Sequence, residues 1–434
     1  MSATPANEHP LNRREFLGAS AKNAAGVAAG VAGFVGMSRA SASPGEQVQV
    51  GVIGVRNQGK LLAQTLAGFA DVAVTTVCDV DEGVFSAACQ GVEAAQGRAP
   101  RCERDFRRLL DDRSLDAVVV ATPDHWHAPI TVLACQAGKD VYLESPVSHS
   151  FGEGPLMLAT AQQSQRIVQA GLQQRSGAHF QSAVEYLHSG RLGTVLMAKA
   201  WTVHQRKSIG KRADCPPPPG VDYNLWLGPA AARPFNPNRF HHNWHWFWDY
   251  GAGELGNWGV HLLDVARWGL GVELPETISA TGGCHFFHDD QQTPDTLQVN
   301  YGYPGKTITW EHRLWSPHGQ EGRSAAVAFY GDRGTLIVDR GGWKVYGQKE
   351  SATAGSSELL PPHLRNFIQS LKTREAPVAD LESAHLSSGL CHLGNIAYRV
   401  GRTLSFDRSQ GTIADDAEAD ALLRTTYRPL VAVR

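Results

Sequence analysis

Short apolar runs alternate with amphipathic segments over the first half of the chain. The clearest runs, rich in Val, Ile and Ala, cover residues 48–55, 72–81, 115–123 and 139–145. The segments between them carry hydrophobic residues at helical spacing. Strands that alternate with helices indicate βαβ units and a parallel sheet. The pattern therefore predicts an α/β domain with a doubly wound parallel sheet over residues 47–172.

The alternation of strands and helices ends at about residue 175. Beyond it, most apolar runs predict strands with few helices between them. The predicted strands cover residues 194–204, 277–287, 295–303, 306–315, 325–332 and 334–340. Successive strands without crossover helices favour antiparallel pairing. We therefore expect residues 173–434 to form an α+β domain with an open, largely antiparallel sheet, whose C-terminal helices are candidates for packing back on the first domain.

The first 42 residues have the composition of an export signal. Arg13 and Arg14 precede a weakly apolar stretch, residues 24–37, and the sequence Ala-Ser-Ala ends at Ala42. A basic region, a short apolar region and a small-residue cleavage site are typical of such signals. The apolar stretch is too short to span a bilayer, which needs about 20 apolar residues. The arginine pair followed by Glu-Phe-Leu resembles a twin-arginine signal, so residues 1–42 predict export of the folded protein to the periplasm without stable membrane insertion.

Net charge, cysteine spacing and histidine spacing argue against a nucleic-acid partner, a disulfide framework and a metal site. The 434-residue chain has a formal net charge of −2 at pH 7, which gives no reason to expect nucleic acid as a partner. Its seven cysteines are scattered without C-x-x-C spacing, so we interpret them as small buried hydrophobic residues rather than as a disulfide framework. Three nearby histidines, His241, His242 and His245, lack a matching carboxylate, so we expect no metal.

The first predicted strand runs into a glycine-containing turn, where a dinucleotide-binding fingerprint belongs. Gly54 permits the tight turn and Gly59 permits close packing of helix on strand. Val55 and Arg56 follow Gly54, and Arg56 stands where the fingerprint has its middle glycine; its cation favours a phosphate at the helix N-terminus. Asp79 ends the second strand, where a carboxylate accepts hydrogen bonds from ribose hydroxyls and repels a 2′-phosphate. We therefore predict bound NAD in preference to NADP.

The third apolar run also ends in polar and aromatic residues. Thr122 and Pro123 end it, and His125, Trp126 and His127 follow closely. Ligands of doubly wound sheets bind beyond the carboxyl ends of the strands. We therefore expect Thr122, Pro123 and His127 to contact the cofactor, and His125 and Trp126 to contact the substrate.

Polar residues at the next strand end and on a later helix predict the catalytic group. Glu144 and Ser145 end the fourth run. Asn257 and His261 are four residues apart and share a predicted helix face, with Asp264 three residues farther on that side. An imidazole titrates near neutral pH and can take a hydroxyl proton or polarise a carbonyl. We expect His261, Asp264, Ser145 and Asn257 to form the catalytic group.

In this order, the motifs resemble the Gfo/Idh/MocA family, which includes glucose–fructose oxidoreductase and inositol dehydrogenase. The resemblance rests on the glycine turn, on CDVD (78–81), on ATPDHWHA (121–128), on the strand ending in Glu-x-Pro and on GNWGVHLLDVARWGLG (256–271). It implies a Rossmann domain, NAD(P)-linked chemistry on sugars or polyols, and homo-oligomers built through the open sheet.

The resemblance also implies roles for particular residues. It adds Glu144 and Gln173 as cofactor contacts, and Arg175 and His179 as residues of the substrate crevice. In the family the strand edge usually reads Glu-Lys-Pro, and its lysine hydrogen-bonds the reacting hydroxyl. This chain has Ser145 at that position, and a serine is neutral, shorter and a poor base.

A second departure lies in the helix motif, where the family commonly has Asp-x-x-x-His. Here His261 matches and Asn257 replaces the aspartate. The segment before this helix, residues 240–256, is rich in Trp and His. Because aromatic faces stack on the apolar faces of sugar rings, we expect Trp248 and Tyr250 to contact a carbohydrate.

The missing lysine leaves three functions open. The first is an oxidoreductase that transfers a hydride from a hydroxyl-bearing carbon of a sugar, polyol or sugar derivative to NAD, held tightly because an exported enzyme has no NAD pool to draw on. The second is an NAD-dependent glycoside hydrolase that works by transient oxidation and elimination. The third is a sugar-binding relative without catalysis.

Overall fold

The computed structural model describes residues 47–347 and 355–428. The predicted export signal, residues 1–42, lies outside the described residues. The described chain forms two sheets with helices packed on them, one in each half of the sequence. None of the described helices is both long and apolar enough to cross a membrane. Within the same residues, no group of three or more His, Cys, Asp or Glu side chains is placed to hold a metal ion.

Six strands form the first sheet: β1 (Val48–Ile53), β2 (Val72–Cys78), β3 (Arg101–Glu103), β4 (Ala117–Val120), β5 (Asp140–Leu143) and β6 (Val168–Ala170). They pair in the order β3-β2-β1-β4-β5-β6, and each pairing is parallel. This confirms the predicted doubly wound sheet. The winding reverses between β1 and β4, which is where such sheets open a crevice at their carboxyl ends.

Five α-helices cover this sheet: α1 (Asn57–Ala67), α2 (Phe85–Gln96), α3 (Phe106–Leu110), α4 (His127–Gln136) and α5 (Gly154–Gln163). Val50 and Val52 of β1 have no exposed surface, because helices lie on both faces of the sheet. Burial on both faces explains why the strands read as continuous apolar runs. Leu62 and Leu66 of α1, four residues apart, are likewise completely buried.

Nine strands form the second sheet: β7 (Val195–Val203), β8 (Thr277–Gly283), β9 (Thr296–Tyr303), β10 (Lys306–Arg313), β11 (Ala325–Gly331), β12 (Gly334–Asp339), β13 (Gly342–Tyr346), β14 (Leu404–Asp407) and β15 (Thr412–Ile413). Their order is β13-β12-β11-β7-β10-β9-β8-β14-β15. Only the β7–β10 pairing in this described sheet is parallel, so the predicted largely antiparallel sheet is confirmed.

The second half also contains α6 (Ala178–His188), α7 (Tyr223–Leu227), α8 (Val260–Leu270), α9 (Leu360–Thr373), α10 (Leu381–Val400) and α11 (Ala417–Leu422). Helices α8 and α10 cover one face of the sheet. On β9, Leu297, Val299 and Tyr301 are completely buried under them, whereas Gln298 and Asn300 are exposed. This alternation leaves the opposite face of the sheet open along β9.

Helix α9 returns to the first domain. Leu364 and Phe367 are completely buried in the same core as α1 and β1, and the Phe367 ring meets that of Tyr142 edge-on at 5.7 Å. Each such side chain contributes about 1.5–3 kcal/mol on burial. Just after the helix, Arg374 Nη1 donates to the buried Asp140 Oδ2 over 2.7 Å. Helix α9 is thus part of the first domain's core.

The cysteines depart from the sequence-based interpretation, because only Cys78, Cys135 and Cys391 are buried. The structure also brings two of the others together. Cys89 on α2 and the exposed Cys102 on β3 have their sulfur atoms 3.2 Å apart. Spacing along the sequence could not reveal this pair, because helix-to-strand packing brings the two residues together.

Candidate active site

A cavity of about 720 Å³ lies between the two halves of the chain, at the carboxyl ends of β1, β4 and β5. The predicted site residues that line it are Gly54, Arg56, Gly59, Asp79, Thr122, Pro123, Trp126, His127, Glu144, Ser145, Gln173, Asn257 and His261. The predicted site residues outside its lining are Val55, His125, Arg175, His179, Trp248, Tyr250 and Asp264. Most of the proposed cofactor contacts therefore share one space with Ser145 and His261.

The turn after β1 is closely packed around two glycines. Gly54 has φ +82°, and a Cβ there would lie 2.6 Å from the carbonyl oxygen of Ala121. A Cβ on Gly59 would lie 1.7 Å from the carbonyl oxygen of Gly54. No larger residue fits either position without moving the backbone. The N-terminus of α1 therefore borders the cavity beside Arg56, whose side chain makes no capping hydrogen bond.

Asp79 is fixed by the same turn. Its Oδ2 accepts a hydrogen bond from the Val55 amide over 2.8 Å, and its Oδ1 accepts one from the Asp81 amide over 3.1 Å. Burial raises the pKa of Asp79 to about 6 although both amides favour the ionised form. The glycine cradle, the open helix N-terminus and this carboxylate fit a dinucleotide, with pyrophosphate at α1 and ribose at Asp79.

His127 joins the ends of two strands. Its Nδ1 lies 2.6 Å from the carbonyl oxygen of Pro146 and its Nε2 lies 2.8 Å from that of Thr122. Burial lowers the pKa of His127, and a neutral ring can donate only one of these hydrogen bonds at a time. The ring thus holds the turn after β4 against the turn after β5, where both border the cavity.

His125 and Trp126 hold the cavity wall in different ways. The buried His125 donates from Nε2 to the carbonyl oxygen of Trp226 over 3.0 Å, and Trp126 donates from Nε1 to the same oxygen over 3.0 Å. Trp226, on α7, lines the cavity, whereas His125 does not. His125 therefore supports the wall from behind, and Trp126 and Trp226 form part of its surface.

Ser145 and His261 meet across the domain boundary. Ser145 Oγ lies 3.3 Å from His261 Nε2 and 3.4 Å from the carbonyl oxygen of Gly171. His261 Nδ1 is buried without a hydrogen-bond partner among the described residues. Burial, aided by the positive charge of Arg340, lowers the pKa of His261 to about 3. The imidazole is therefore neutral at physiological pH.

Glu144 is the carboxyl group next to this pair. Its Oε1 accepts a hydrogen bond from Gln58 Nε2 over 3.0 Å, and burial raises its pKa to about 7. A carboxyl group with a pKa near neutrality is suited to proton exchange at physiological pH. Gln173, which also lines the cavity, donates from Nε2 to the buried hydroxyl of Tyr142 over 3.3 Å.

Asn257 lies in a π-helical turn, Leu255–Gly259, that leads directly into α8. Its Nδ2 donates to Glu254 Oε2 over 3.3 Å. Glu254 is completely buried, and its carboxylate also contacts His204 Nδ1 at 2.8 Å and Arg206 Nη2 at 3.1 Å. These two partners outweigh burial and lower the pKa of Glu254 to about 2. Glu254, held by its own partners, thus fixes the Asn257 carboxamide at the cavity.

Asp264 and Arg175 are partners of each other. Arg175 donates from Nε to Asp264 Oδ2 over 2.8 Å and from Nη2 to Oδ1 over 2.9 Å. Ser387 Oγ donates to the same carboxylate over 2.6 Å. His179, also outside the lining, donates from Nε2 to the carbonyl oxygen of Asp339 over 3.1 Å. The structure therefore places these predicted site residues behind the cavity, where they position its wall.

The aromatic segment reaches the cavity through different residues from those expected. Residues His241–Trp246 form a 3₁₀ turn, and His241, His242, Trp244 and His245 line the cavity. Trp248 instead lies beneath Arg399, whose guanidinium is 5.2 Å from its ring centre, and Tyr250 has no exposed surface. The 3₁₀ turn sets which side chains face inward, and residue type alone does not indicate it.

Sequence reasoning missed several further cavity residues, among them Trp258 and Arg340. Trp258 lies in the motif GNWGVHLLDVARWGLG, between Asn257 and His261, so the motif could have identified it as a cavity residue. Arg340 had no such signal, because it lies in the turn between β12 and β13 and reaches the cavity only through the fold of the second sheet.

Comparison with protein families accounts for both halves of the chain. A Gfo/Idh/MocA model for the NAD-binding Rossmann fold of an oxidoreductase family matches residues 48–172. A second model, for the C-terminal alpha/beta domain of this family, matches residues 200–307 and 349–432. The chain belongs to the Gfo/Idh/MocA oxidoreductase family. Its first domain is the NAD-binding Rossmann domain of that family.

The names of curated relatives indicate two kinds of enzyme. The chain is 29% identical over 231 residues to a glycosyl hydrolase family 109 protein of Saccharopolyspora erythraea, covering 48% of this chain and 49% of the relative. It is 29% identical over 237 residues to inositol 2-dehydrogenase 2 of the same organism, covering 54% and 57%. The chain thus spans about half the length of the curated relatives it matches.

A solved structure has the same fold over most of the chain. The WlbA dehydrogenase of Bordetella pertussis, solved with NADH and UDP-GlcNAcA, superposes with a TM-score of 0.64. The two share 19% sequence identity, and the superposition covers 83% of this chain and 99% of the other. At this identity the likeness establishes the fold alone.

Replacing Asp264 tests its position behind the site of this Gfo/Idh/MocA protein. Asp264→Asn removes the buried anion with which the part-buried Arg175 guanidinium pairs, so the free energy of unfolding should fall by about 3–5 kcal/mol. Urea unfolding monitored by tryptophan fluorescence measures this change. The control is Glu276→Gln, which removes the surface pair with Arg408 and should cost at most about 1 kcal/mol. Equal stability of the two variants would contradict the structural role.

Proposed function

We propose that the protein is an NAD-dependent oxidoreductase that acts on a hydroxyl group of a sugar, polyol or sugar derivative. The observation that carries the proposal is the contact between Ser145 Oγ and His261 Nε2, 3.3 Å, inside the cavity that also holds the glycine turn of the Rossmann domain. Family membership and the relative named inositol 2-dehydrogenase 2 support this choice. Aromatic lining from Trp244 and Trp258 suits the apolar face of a sugar ring.

Gly54, Arg56 and Asp79 would hold the cofactor, and Thr122 and His127 would border its reactive end. NAD, when bound, supplies the acceptor for a hydride from the alcohol carbon. The Asp79 carboxylate would accept hydrogen bonds from the ribose hydroxyls and repel a 2′-phosphate, so we propose NAD in preference to NADP. Tight binding of NAD would suit an exported enzyme, because such an enzyme has no NAD pool to draw on.

His261 is the residue that we assign to the hydroxyl proton. A substrate hydroxyl beside Ser145 would lie within hydrogen-bond reach of the neutral imidazole, which is the form that accepts a proton. Because burial disfavours the imidazolium, His261 would release the proton to water in the cavity rather than retain it. Ser145 can both donate and accept, and it would orient the hydroxyl toward the ring. Asn257 would hold a neighbouring hydroxyl, and Asp264 would keep α8 in place.

Replacing Asp79 tests the cofactor assignment. Asp79→Ala removes the acceptor for the ribose hydroxyls, so affinity for NAD should fall by about 10- to 100-fold and the preference over NADP should narrow. Wild-type affinity for NAD should also weaken as the pH falls through about 6, since the carboxylate becomes protonated. Calorimetry with each dinucleotide measures both effects, with Asp71→Ala as a first-domain control outside the cavity. Tighter binding of NADP by the wild type would show the assignment to be wrong.

Two substitutions test the reaction end. His261→Ala should lower sugar-dependent NAD reduction by about 10²–10⁴-fold while NAD stays bound, because general acid–base help is lost. Ser145→Lys should raise that activity if the cavity still accommodates the lysine usual in the family, and should abolish it if the cavity has been rebuilt around serine. His188→Ala, on the exposed end of α6, is the histidine control. If His261→Ala and Ser145→Lys both leave turnover and sugar affinity unchanged, this edge is structural.

The second candidate is glycoside cleavage by transient oxidation, favoured by the relative named as a glycosyl hydrolase family 109 protein. In that reaction the new ketone acidifies the neighbouring C–H, the glycosidic oxygen leaves by elimination, water adds, and the hydride returns. A chromogenic glycoside distinguishes the two: release of the aglycone without net NADH indicates cleavage. Absence of any turnover with bound NAD would instead favour a sugar-binding protein without catalysis.

We also propose that the protein is exported by the twin-arginine route, on the strength of Arg13, Arg14 and the cleavage pattern ending at Ala42.

In the oxidising periplasm the thiols of Cys89 and Cys102 should form a disulfide by exchange with the disulfide of a carrier protein, which is reduced in turn. Intact mass of the non-reduced periplasmic protein should match a chain starting near Ser43 and lacking two hydrogens. An exported chain that starts at Met1 or Ser2 would contradict cleavage. Two free thiols at Cys89 and Cys102 would contradict the disulfide.

The open face of the nine-stranded sheet is the surface through which we expect a second copy to bind. It carries exposed positions such as Gln298 and Asn300 on β9. Light scattering of the purified protein shows whether the chain forms a homo-oligomer.

A further inference from the structure

Arg340 reaches the reaction end of the cavity from the turn between β12 and β13. Its guanidinium lies over the Trp258 ring, 5.0 Å from the ring centre, and both residues line the cavity. Stacking on an aromatic face holds the planar guanidinium in one orientation and leaves its edge N–H groups free to donate. The arrangement presents a preorganised cation to the space beside Asn257 and His261.

No carboxylate of the described residues pairs with this guanidinium. The adjacent Asp339 forms an ion pair with Arg323. Burial lowers the pKa of Arg340, and no neighbouring carboxylate acts to raise it. The positive charge of Arg340 is felt by His261, whose pKa it helps to lower. Arg340 is exposed, so an anion that enters the cavity can reach its guanidinium.

The residues around Arg340 supply no negative charge of their own. Ser145, Asn257 and Trp258 are neutral, and the His261 imidazole is neutral as well. Glu144, whose carboxyl group also lines the cavity, accepts a hydrogen bond from Gln58. The nucleotide end, in contrast, carries the Asp79 carboxyl group together with the cations Arg56 and Arg104. The positive charge at the reaction end of the described cavity is therefore that of Arg340.

Positive charge continues beyond this cavity. A second cleft of about 660 Å³ shares His242 with it and is lined by Arg206, Lys207 and Arg212, with no carboxylate in its described lining. Arg206 is paired with Glu254, whereas Lys207 and Arg212 form no ion pair with the described residues. The nearby carboxylates of residues 289 and 290 are occupied by backbone amides and by Ser208 and Asn238.

We propose that the substrate is an acidic carbohydrate, and that Arg340 binds its anionic substituent while Trp258 packs against the ring. The proposal rests on the proposed function and specifies the substrate class of the same site. The substituent is a carboxylate, as in a uronic acid, or a phosphate or sulfate ester, since a guanidinium fork binds all three in two-pronged fashion. The cationic cleft beyond His242 would attract such a substrate and hold further anionic parts of it.

The test compares matched pairs of sugars on the NAD-saturated protein. Calorimetry measures the affinity for D-glucuronate, D-galacturonate, glucose 6-phosphate and glucose 6-sulfate, each against neutral glucose or galactose. The wild type should bind at least one anionic sugar about tenfold or more tightly than its neutral parent, and this preference should weaken at high salt. The uronates and the esters separate the two sources of negative charge.

Arg340→Met removes the charge and keeps an apolar chain over Trp258. It should weaken binding of the preferred anionic sugar by about 10- to 100-fold and leave the neutral parent unchanged, whereas Arg340→Lys should retain part of the preference. Arg333→Met, in the neighbouring turn between β11 and β12, is the matched control and should retain the full preference. Equal NAD affinity and equal thermal unfolding temperature in all variants show that folding and the nucleotide end are intact.

Two results would overturn the proposal. One is a wild type that binds none of the anionic sugars more tightly than their neutral parents. The other is an Arg340→Met variant that keeps the wild-type preference. Failure of the oxidoreductase proposal has a different signature, because NAD would then fail to bind or to be reduced while Arg340-dependent binding of an acidic sugar persisted.

Discussion

The Asp264 carboxylate holds together the segments on which the reaction end rests. It accepts two hydrogen bonds from Arg175 and one from Ser387, and Arg267 lies 3.7 Å away. These cations and the hydroxyl overcome the effect of complete burial and lower the pKa of Asp264. Removing an ion from water is costly, so such a carboxylate tolerates little movement of its partners. His261, one turn earlier on α8, is therefore held where it meets Ser145.

The nucleotide end could be predicted from the sequence because its geometry is local. Gly54 and Gly59 act within one strand-turn-helix unit, and Asp79 ends the next strand of the same sheet. Continuous apolar runs also revealed the parallel sheet, since its strands are buried on both faces. Each of these features depends on residues that are neighbours in sequence or in consecutive units, so a pattern along the chain is sufficient to predict them.

The reaction end depends on contacts between distant segments, which a pattern along the chain does not reveal. Asn257, His261 and Asp264 share a predicted helix face, but the chain enters α8 through a π turn, and Asp264 faces Arg175 instead of the cavity. The 3₁₀ turn before it places Trp244 inside, whereas Trp248 lies outside the lining. Residue type predicted an aromatic wall, but only the local backbone determines which ring belongs to it.

The positive charge at the reaction end comes from Arg340, because position 145 is a serine. A lysine at position 145 would bring an ammonium toward His261, since Ser145 Oγ is only 3.3 Å from Nε2. His261 is already affected by the guanidinium of Arg340, and a second cation would further disfavour protonation of the ring. With serine at 145, the cation at this end lies over Trp258 rather than at the strand edge. The reacting hydroxyl would then meet a neutral pair, and the positive charge is free to bind another part of the substrate.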